Sequence, residues 1–160
     1  VTTVVLGLDL AEKLGLSVIE ADSGKLVFSL SRRLSRGDPQ ERLLNLHKLL
    51  QEAIKRYQPQ EMAIEDVFLP AKTSRKTPIS LGELRGVARL CAAEHDIPVF
   101  FYAARQVKQA ITGFGNASKE DVTRWIESEF RVRVKDDNEA DAISIAWTHI
   151  LMRRFTNMQK

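Results

Sequence analysis

Met62–Val67 and Pro98–Tyr102 are short apolar runs of strand character, and the stretch between them, Leu81–His95, has the pattern and length of a helix. Parallel neighbours need a connection of about a dozen residues or more, so a strand, a helical crossover and a second strand predict a parallel pair. Three further strand-like runs precede them at turn-sized spacing: Thr3–Asp9, Gly15–Glu20 and Lys25–Leu30, with Asp22-Ser23-Gly24 in the second turn. These predict an antiparallel meander. Asp38-Pro39 then supplies a cap and a first-turn proline, and Leu43, Leu46, Leu50 and Ile54 recur at helical spacing up to about Tyr57. Three helices close the chain, at about Ala104–Thr112, Ser118–Phe130 and Asn138–Arg154. The order βββαβαβααα predicts an α/β fold: a five-stranded mixed sheet, three antiparallel strands then two parallel, flanked by helices on both faces.

No repeat, low-complexity tract or long linker divides the chain, and the longest irregular stretch is about Pro70–Pro78, so residues 1–160 are expected to form a single domain. The lone cysteine, Cys91, has no intramolecular partner. That favours a reducing, intracellular setting, cytoplasmic for a bacterial or phage protein, with an organelle left open. No apolar run is long enough to span a bilayer.

A carboxylate at the end of an apolar strand is costly to bury without a cation, metal or hydrogen-bond donor. Asp9 and Glu65 both stand at such ends, and the predicted topology sets their strands side by side. The last helix adds Asp141 within Glu139–Trp147, among small and apolar residues. At 100° per residue, Asp137 lies about 40° and Asn138 about 60° from Asp141 around that helix, while Asp136 and Glu139 point away. Carboxylates converging from two strands and a helix repel one another unless a hard cation neutralises them, and Mg²⁺ suits that chemistry. Two ions bridged by a shared Asp can activate a water and stabilise the leaving oxygen of a phosphodiester. The same acids also suit strand ends and caps, and their spacing alone does not separate the two readings.

The formal charge is only +3, yet no acid occurs between Asp96 and Glu120, where Arg105, Lys108 and Lys119 fall. Lys72, Arg75, Lys76, Arg85 and Arg89 cluster just upstream with only Glu83 among them. A basic face on a nearly neutral protein points to a polyanionic partner. His149, two turns beyond Asp141, fits a packed and hydrogen-bonded histidine, and His47 and His95 fit surface or boundary positions. Gly113-Phe114-Gly115 does not satisfy a nucleotide-binding fingerprint.

Four ordered segments resemble the motifs of the RuvC family of Holliday-junction resolvases: Leu6-Gly7-Leu8-Asp9, Ala63–Phe68, Tyr102–Ala110 and Ala140–His149, with support from Leu81–Gly86. The resemblance implies an RNase H-like fold. It also implies a homodimer, paired through the helix at about Leu81–His95, that binds a four-way DNA junction and nicks two strands of like polarity symmetrically. Mg²⁺ or Mn²⁺, two ions per site, would serve an acidic tetrad, and a branch-migration helicase would be a further partner. Asp9, Glu65 and Asp141 match three tetrad positions. Lys108 and Lys119 match basic active-site and DNA-contact positions, and Phe68 an aromatic near the junction crossover. Lys72, Arg75, Lys76 and Arg105 would contact the DNA backbone.

Two departures from the family pattern stand out. The first Asp is followed by Leu10-Ala11-Glu12-Lys13-Leu14-Gly15 and a tighter hairpin, and the fourth tetrad position is Asn138. A neutral amide oxygen holds a hard cation less tightly than a carboxylate. Three explanations stay open: an inactivating Asp-to-Asn substitution, a natural neutral ligand, or Asp137 taking over from the adjacent turn. The expected activity is junction resolution in recombination and repair. The alternatives are a non-catalytic junction-binding protein and an RNase H-like nuclease for branched or flap DNA.

Overall fold

The computed structural model of the chain describes residues 2–66 and 76–160. Phe68, Lys72 and Arg75, together with the side chain of Lys76, lie outside the described residues. The elements follow the expected order: β1 Val4–Asp9, β2 Lys13–Glu20, β3 Lys25–Arg33, α1 Pro39–Tyr57, β4 Glu61–Asp66, α2 Lys76–Glu94, β5 Val99–Ala103, α3 Ala104–Thr112, α4 Lys119–Phe130 and α5 Asp137–Met158. They build one five-stranded sheet in the order β3-β2-β1-β4-β5. The pairs β1–β2 and β2–β3 are antiparallel, whereas β1–β4 and β4–β5 are parallel.

Strand β1 is central and covered on both faces, which is why it is an almost unbroken apolar run. Its side chains alternate between two cores. Leu6 and Leu8, with Met62 and Ile64 of β4, join α1 and α2, while Val5 and Ala63 join α3, α4 and α5 on the opposite face. Continuing the alternation sends Gly7, Asp9 and Glu65 to the α5 face. Leu8 pairs with Ile64, so the next residues along the two parallel strands, Asp9 and Glu65, stand side by side.

Helix α5 lies directly on this face, and its residues 139–150 are buried except for the half-buried Asp141. Its close approach depends on missing side chains. A Cβ on Gly7 would sit 2.7 Å from both the Ala146 Cβ and the Ser17 Oγ, and one on Gly15 would meet the backbone carbonyl of Asn138. Into that gap the buried Ser17 hydroxyl donates to the Ala142 carbonyl at 2.7 Å, locking the register of helix on sheet.

Helix α2 starts at Lys76, five residues before the expected Leu81. Pro78 therefore falls in the first turn, where backbone N–H groups have no intrahelical acceptor and a proline costs nothing. Strand β2 begins at Lys13 and not Gly15, and β3 runs three residues beyond Leu30 to Arg33, both because the hairpin stays paired to its ends: Lys13 opposes Arg33.

Candidate active site

Asp9 ends β1, Glu65 lies near the end of β4 and Asp141 projects from the second turn of α5, so three separate elements deliver the acids to one edge of the sheet. Asn138, one turn before Asp141, donates its Nδ2 to Asp9 Oδ2 at 3.1 Å. Lys119, the first residue of α4, places its Nζ 3.7 Å from Asp141 Oδ2.

The acids shape one another's ionisation. Burial, and next the charge of Asp141, push Asp9 up to about 6 against the pull of the Asn138 hydrogen bond and Lys119. Burial, then Asp9 and Asp141, raise Glu65 to about 7, with Lys119 and Lys108 opposing. Asp141 is raised by burial; Lys119 works against that shift and Asp137 adds to it. Such mutual elevation marks carboxylates crowded in a poorly solvated place without enough positive charge. Asp9, Glu65, Asp141, Asn138, Lys119 and Lys108 are thus brought together, and Asp137 lies near enough to Asp141 to perturb it.

Arg105 stands apart: it is exposed, and its Cγ and Nε pack against Gly115 in the loop after α3. Arg85, counted in the basic cluster from the sequence, is engaged with Asp66 at 3.0 Å and stacks 3.8 Å from the Phe101 ring centroid. It fastens α2 to the sheet beside Glu65.

One group that matters to the site was not found from the sequence, and another, His149, is packed and hydrogen-bonded as expected but with partners that no spacing indicates. Asp136, read as pointing away, caps α5 by accepting from the Glu139 N–H at 3.1 Å; it also takes the Ser31 hydroxyl at 2.7 Å and Lys13 Nζ at 2.5 Å. Its slight burial acts in the opposite direction, but Lys13 and Ser31 hold its carboxyl down at about 2. The signal was an Asp immediately before a helix, the ordinary N-cap pattern. The second group is buried below the site. The Tyr102 hydroxyl, on the β5 residue in register with Glu65, is hydrogen-bonded to His149 Nδ1 at 2.6 Å. His149 Nε2 lies 3.3 Å from Glu61 Oε1 without hydrogen-bond geometry, and Arg153 Nη1 closes the chain on Glu61 Oε2 at 2.7 Å. Burial holds His149 below its ordinary pKa, so it serves as a neutral strut between α5 and the two parallel strands.

The donors at the site are all hard: carboxylate oxygens from Asp9, Glu65 and Asp141, and the amide oxygen of Asn138. That set fits Mg²⁺ or Mn²⁺ and not a thiophilic metal.

The chain matches known proteins along nearly its whole length. Residues 5–149 fit the family model described as crossover junction endodeoxyribonuclease RuvC. A relative of that name from Moorella thermoacetica is 36% identical over 151 residues, covering 91% of this chain and 89% of the relative. The Thermus thermophilus RuvC structure superposes with a TM-score of 0.85 at 28% identity, covering 96% of this chain and 97% of that one. The same protein in complex with a Holliday junction substrate gives 0.84 at 26% identity, with 96% of each chain covered. The chain belongs to the RuvC family of crossover junction endodeoxyribonucleases.

Proposed function

We propose that this chain resolves four-way DNA junctions, hydrolysing phosphodiesters in two strands of like polarity with Mg²⁺ or Mn²⁺, and that residues 1–160 form one nuclease domain. The observation that carries the reading is the convergence of Asp9, Glu65 and Asp141 beside Lys119, with their carboxyl pKa values raised by burial and then by neighbouring carboxylates. Support comes from the Thermus thermophilus relative, whose structure was solved on a Holliday junction substrate.

Asp9, Glu65, Asp141 and the amide oxygen of Asn138 are the residues that would hold the metal, and two ions suit phosphodiester hydrolysis at such an acidic set. Divalent ions bound there supply Lewis-acid neutralisation of charge at the scissile phosphate. Asn138 aims Asp9 and favours its ionised form by hydrogen-bonding its Oδ2. Lys119 compensates Asp141 before substrate arrives and offers a cation to the phosphate oxygens afterwards. Lys108, half-buried on α3, adds positive potential on the same side, and Arg105 reaches outward to a flanking backbone phosphate. The family resemblance puts Phe68 near the junction crossover, and the positive charge of Lys72, Arg75 and Lys76 suits contact with the DNA backbone.

A twofold junction calls for a twofold protein. Helix α2 offers the face for it: Ile79 and Leu90 are exposed at 60% and 57%, three turns apart, and among the described residues nothing lies within 4 Å of a Cβ built on Gly82 or Gly86 between them. Small residues let a second helix approach closely, and two copies of this stripe would bury each other's apolar ends. The partners proposed are thus junction DNA, a second copy of the chain and a branch-migration helicase. No helix among the described residues is long and apolar enough to cross a membrane.

The test is a synthetic four-way junction with each strand end-labelled in turn, incubated with Mg²⁺ or Mn²⁺. Paired nicks at symmetric positions in two like-polarity strands are expected, with Asp9→Asn binding but not cutting. Salt-sensitive binding with no nicking under either metal would establish the non-catalytic reading, and faster cutting of flap DNA the branched-DNA one. Leu90→Asp should convert dimer to monomer in light scattering and uncouple the two nicks; an unchanged dimer would remove α2 as the interface.

A further inference from the structure

On the face of the sheet opposite the acids, α1 and α2 pack against each other and bring His47, Cys91 and Glu94 together. One ligand atom from each lies within 4.8 Å of the other two. Cys91 and Glu94 are three residues apart on α2 and so share a helix face, while His47 comes across from α1. The thiol is fully buried, the imidazole half-buried and the carboxylate exposed, so the triad opens outward from a sulfur at its base. The Gln51 amide, one turn beyond His47, contacts His47 Nε2 at 3.3 Å and His95 Nε2 at 2.7 Å. A polar group that orients a ligating imidazole is what built metal sites place behind their ligands.

We propose that His47, Cys91 and Glu94 form a second metal site, for a thiophilic divalent ion of the Zn²⁺ class, distinct from the acid cluster in place and in metal preference. Bonds of about 2.0–2.3 Å in a tetrahedral shell set ligand atoms roughly 3.3–3.8 Å apart, so rotations that move these atoms by about 1 Å close the shell, with solvent as the fourth ligand. One sulfur, one nitrogen and one oxygen donor select Zn²⁺ or Co²⁺ over Mg²⁺, which needs an all-oxygen shell. On binding, the thiol proton leaves to solvent and the thiolate takes the ion. The ion clamps α1 to α2 and stiffens the helix that carries Ile79 and Leu90, well away from Asp9 and Glu65.

Full-length protein stripped with a chelator and titrated with Co²⁺ tests this directly. One Co²⁺ per chain is expected, with a near-ultraviolet thiolate-to-cobalt charge-transfer band that Zn²⁺ erases by displacement and excess Mg²⁺ leaves unchanged. The band should persist in an Asp9→Asn/Asp141→Asn variant. His47→Gln should weaken binding by about tenfold or more, as should Cys91→Ala, which also removes the band. Because Cys91 is buried, a Cys91→Ala chain that fails to fold leaves the decision to His47→Gln and Glu94→Gln, whose side chains reach the surface. A wild-type chain without the band, a band unaffected by His47→Gln and Glu94→Gln, or uptake abolished by the acid-cluster variant would overturn the proposal.

Discussion

Asn138 reaches from the first turn of α5 to the end of β1 and donates to Asp9 Oδ2 at 3.1 Å, joining two positions 129 residues apart in the chain. The contact lowers the pKa of Asp9 against burial and the charge of Asp141. Asn138→Ala should therefore leave Asp9 protonated to higher pH and move the alkaline rise of the nicking rate upward. Asn138→Asp exchanges a donor for a fourth anion and should lower the Mg²⁺ concentration needed for half-maximal nicking, since a hard cation gains a charged ligand. Rate-against-Mg²⁺ curves at several pH values separate the two effects. Identical curves for wild type and Asn138→Asp would show that Asn138 does not limit metal loading.

The elevated pKa of Asp9 makes a claim about folding. Below its ordinary value of 3.8, Asp9 is protonated in folded and unfolded chains alike and imposes no penalty. Between 3.8 and about 6 the unfolded chain has released the proton while the folded one retains it, so stability falls as pH rises, and above about 6 the loss is complete. The rise from 3.8 to about 6 corresponds to about 3 kcal/mol at this 9% exposed site. In the presence of a chelator, Asp9→Asn should be more stable than wild type by about that amount near neutral pH and equal to it near pH about 4. Thermal denaturation across that range measures it. Mg²⁺ should close the gap by stabilising wild type alone.

Lys119 lowers the pKa of Asp9, Glu65 and Asp141 together. Lys119→Met should reduce the nicking rate about 10²-fold, the usual cost of removing a group that stabilises transition-state charge. It should also move the rate's rise with pH above the window near 6 to 7 where Asp9 and Glu65 release their protons in wild type. Junction binding at fixed salt should weaken only slightly. Lys119→Arg should restore the pH midpoint more fully than the rate, since it returns the charge but not the shape. A rate loss with no movement of the pH profile would confine Lys119 to DNA contact.

The sheet was legible in the sequence because its two signals are local. Apolar runs such as Val4–Leu8 and Met62–Ile64 mark strands covered on both faces, and the helical stretch between β4 and β5 requires a parallel pair. The acids were legible for the same reason, since Asp9 and Glu65 directly follow the apolar runs Val4–Leu8 and Met62–Ile64. What the sequence hid depends on contacts distant in the chain. Asp136 carries a capping signal, but its bonds to Lys13 and Ser31 exist only after β2 and β3 pair under α5. The strut from Tyr102 through His149 and Glu61 to Arg153 links three elements, and no spacing rule connects them. The apolar pattern marks α2 only from Leu81, whereas the helix begins at Lys76, because a proline in a first turn is compatible with the helix.

The geometry of the acids depends on a residue with no side chain. A Cβ added at Gly15 would lie 2.6 Å from the carbonyl carbon of Asn138 and 3.2 Å from the Ala142 Cβ. The first of these is backbone, which cannot rotate away, so Gly15→Ala can be accommodated only by lifting the first turns of α5 off β2. That movement carries Asn138 and Asp141 away from Asp9 and Glu65, whose strands stay in place. A misplacement of about 1 Å can cost about 10²-fold in rate even without loss of a catalytic group. Gly15→Ala should therefore nick junctions about 10²-fold more slowly while still binding them, because Lys108 and Arg105 sit on α3, away from the strain. Thermal stability should drop as well, through the strained Ser17 hydrogen bond to the Ala142 carbonyl. Measuring rate and melting temperature beside Ser17→Ala distinguishes the causes: Ser17→Ala removes that bond without displacing the helix and should lower stability with little effect on rate. Comparable rate losses in the two variants would mean that the close packing of α5 supports the fold and does not set the position of the acids.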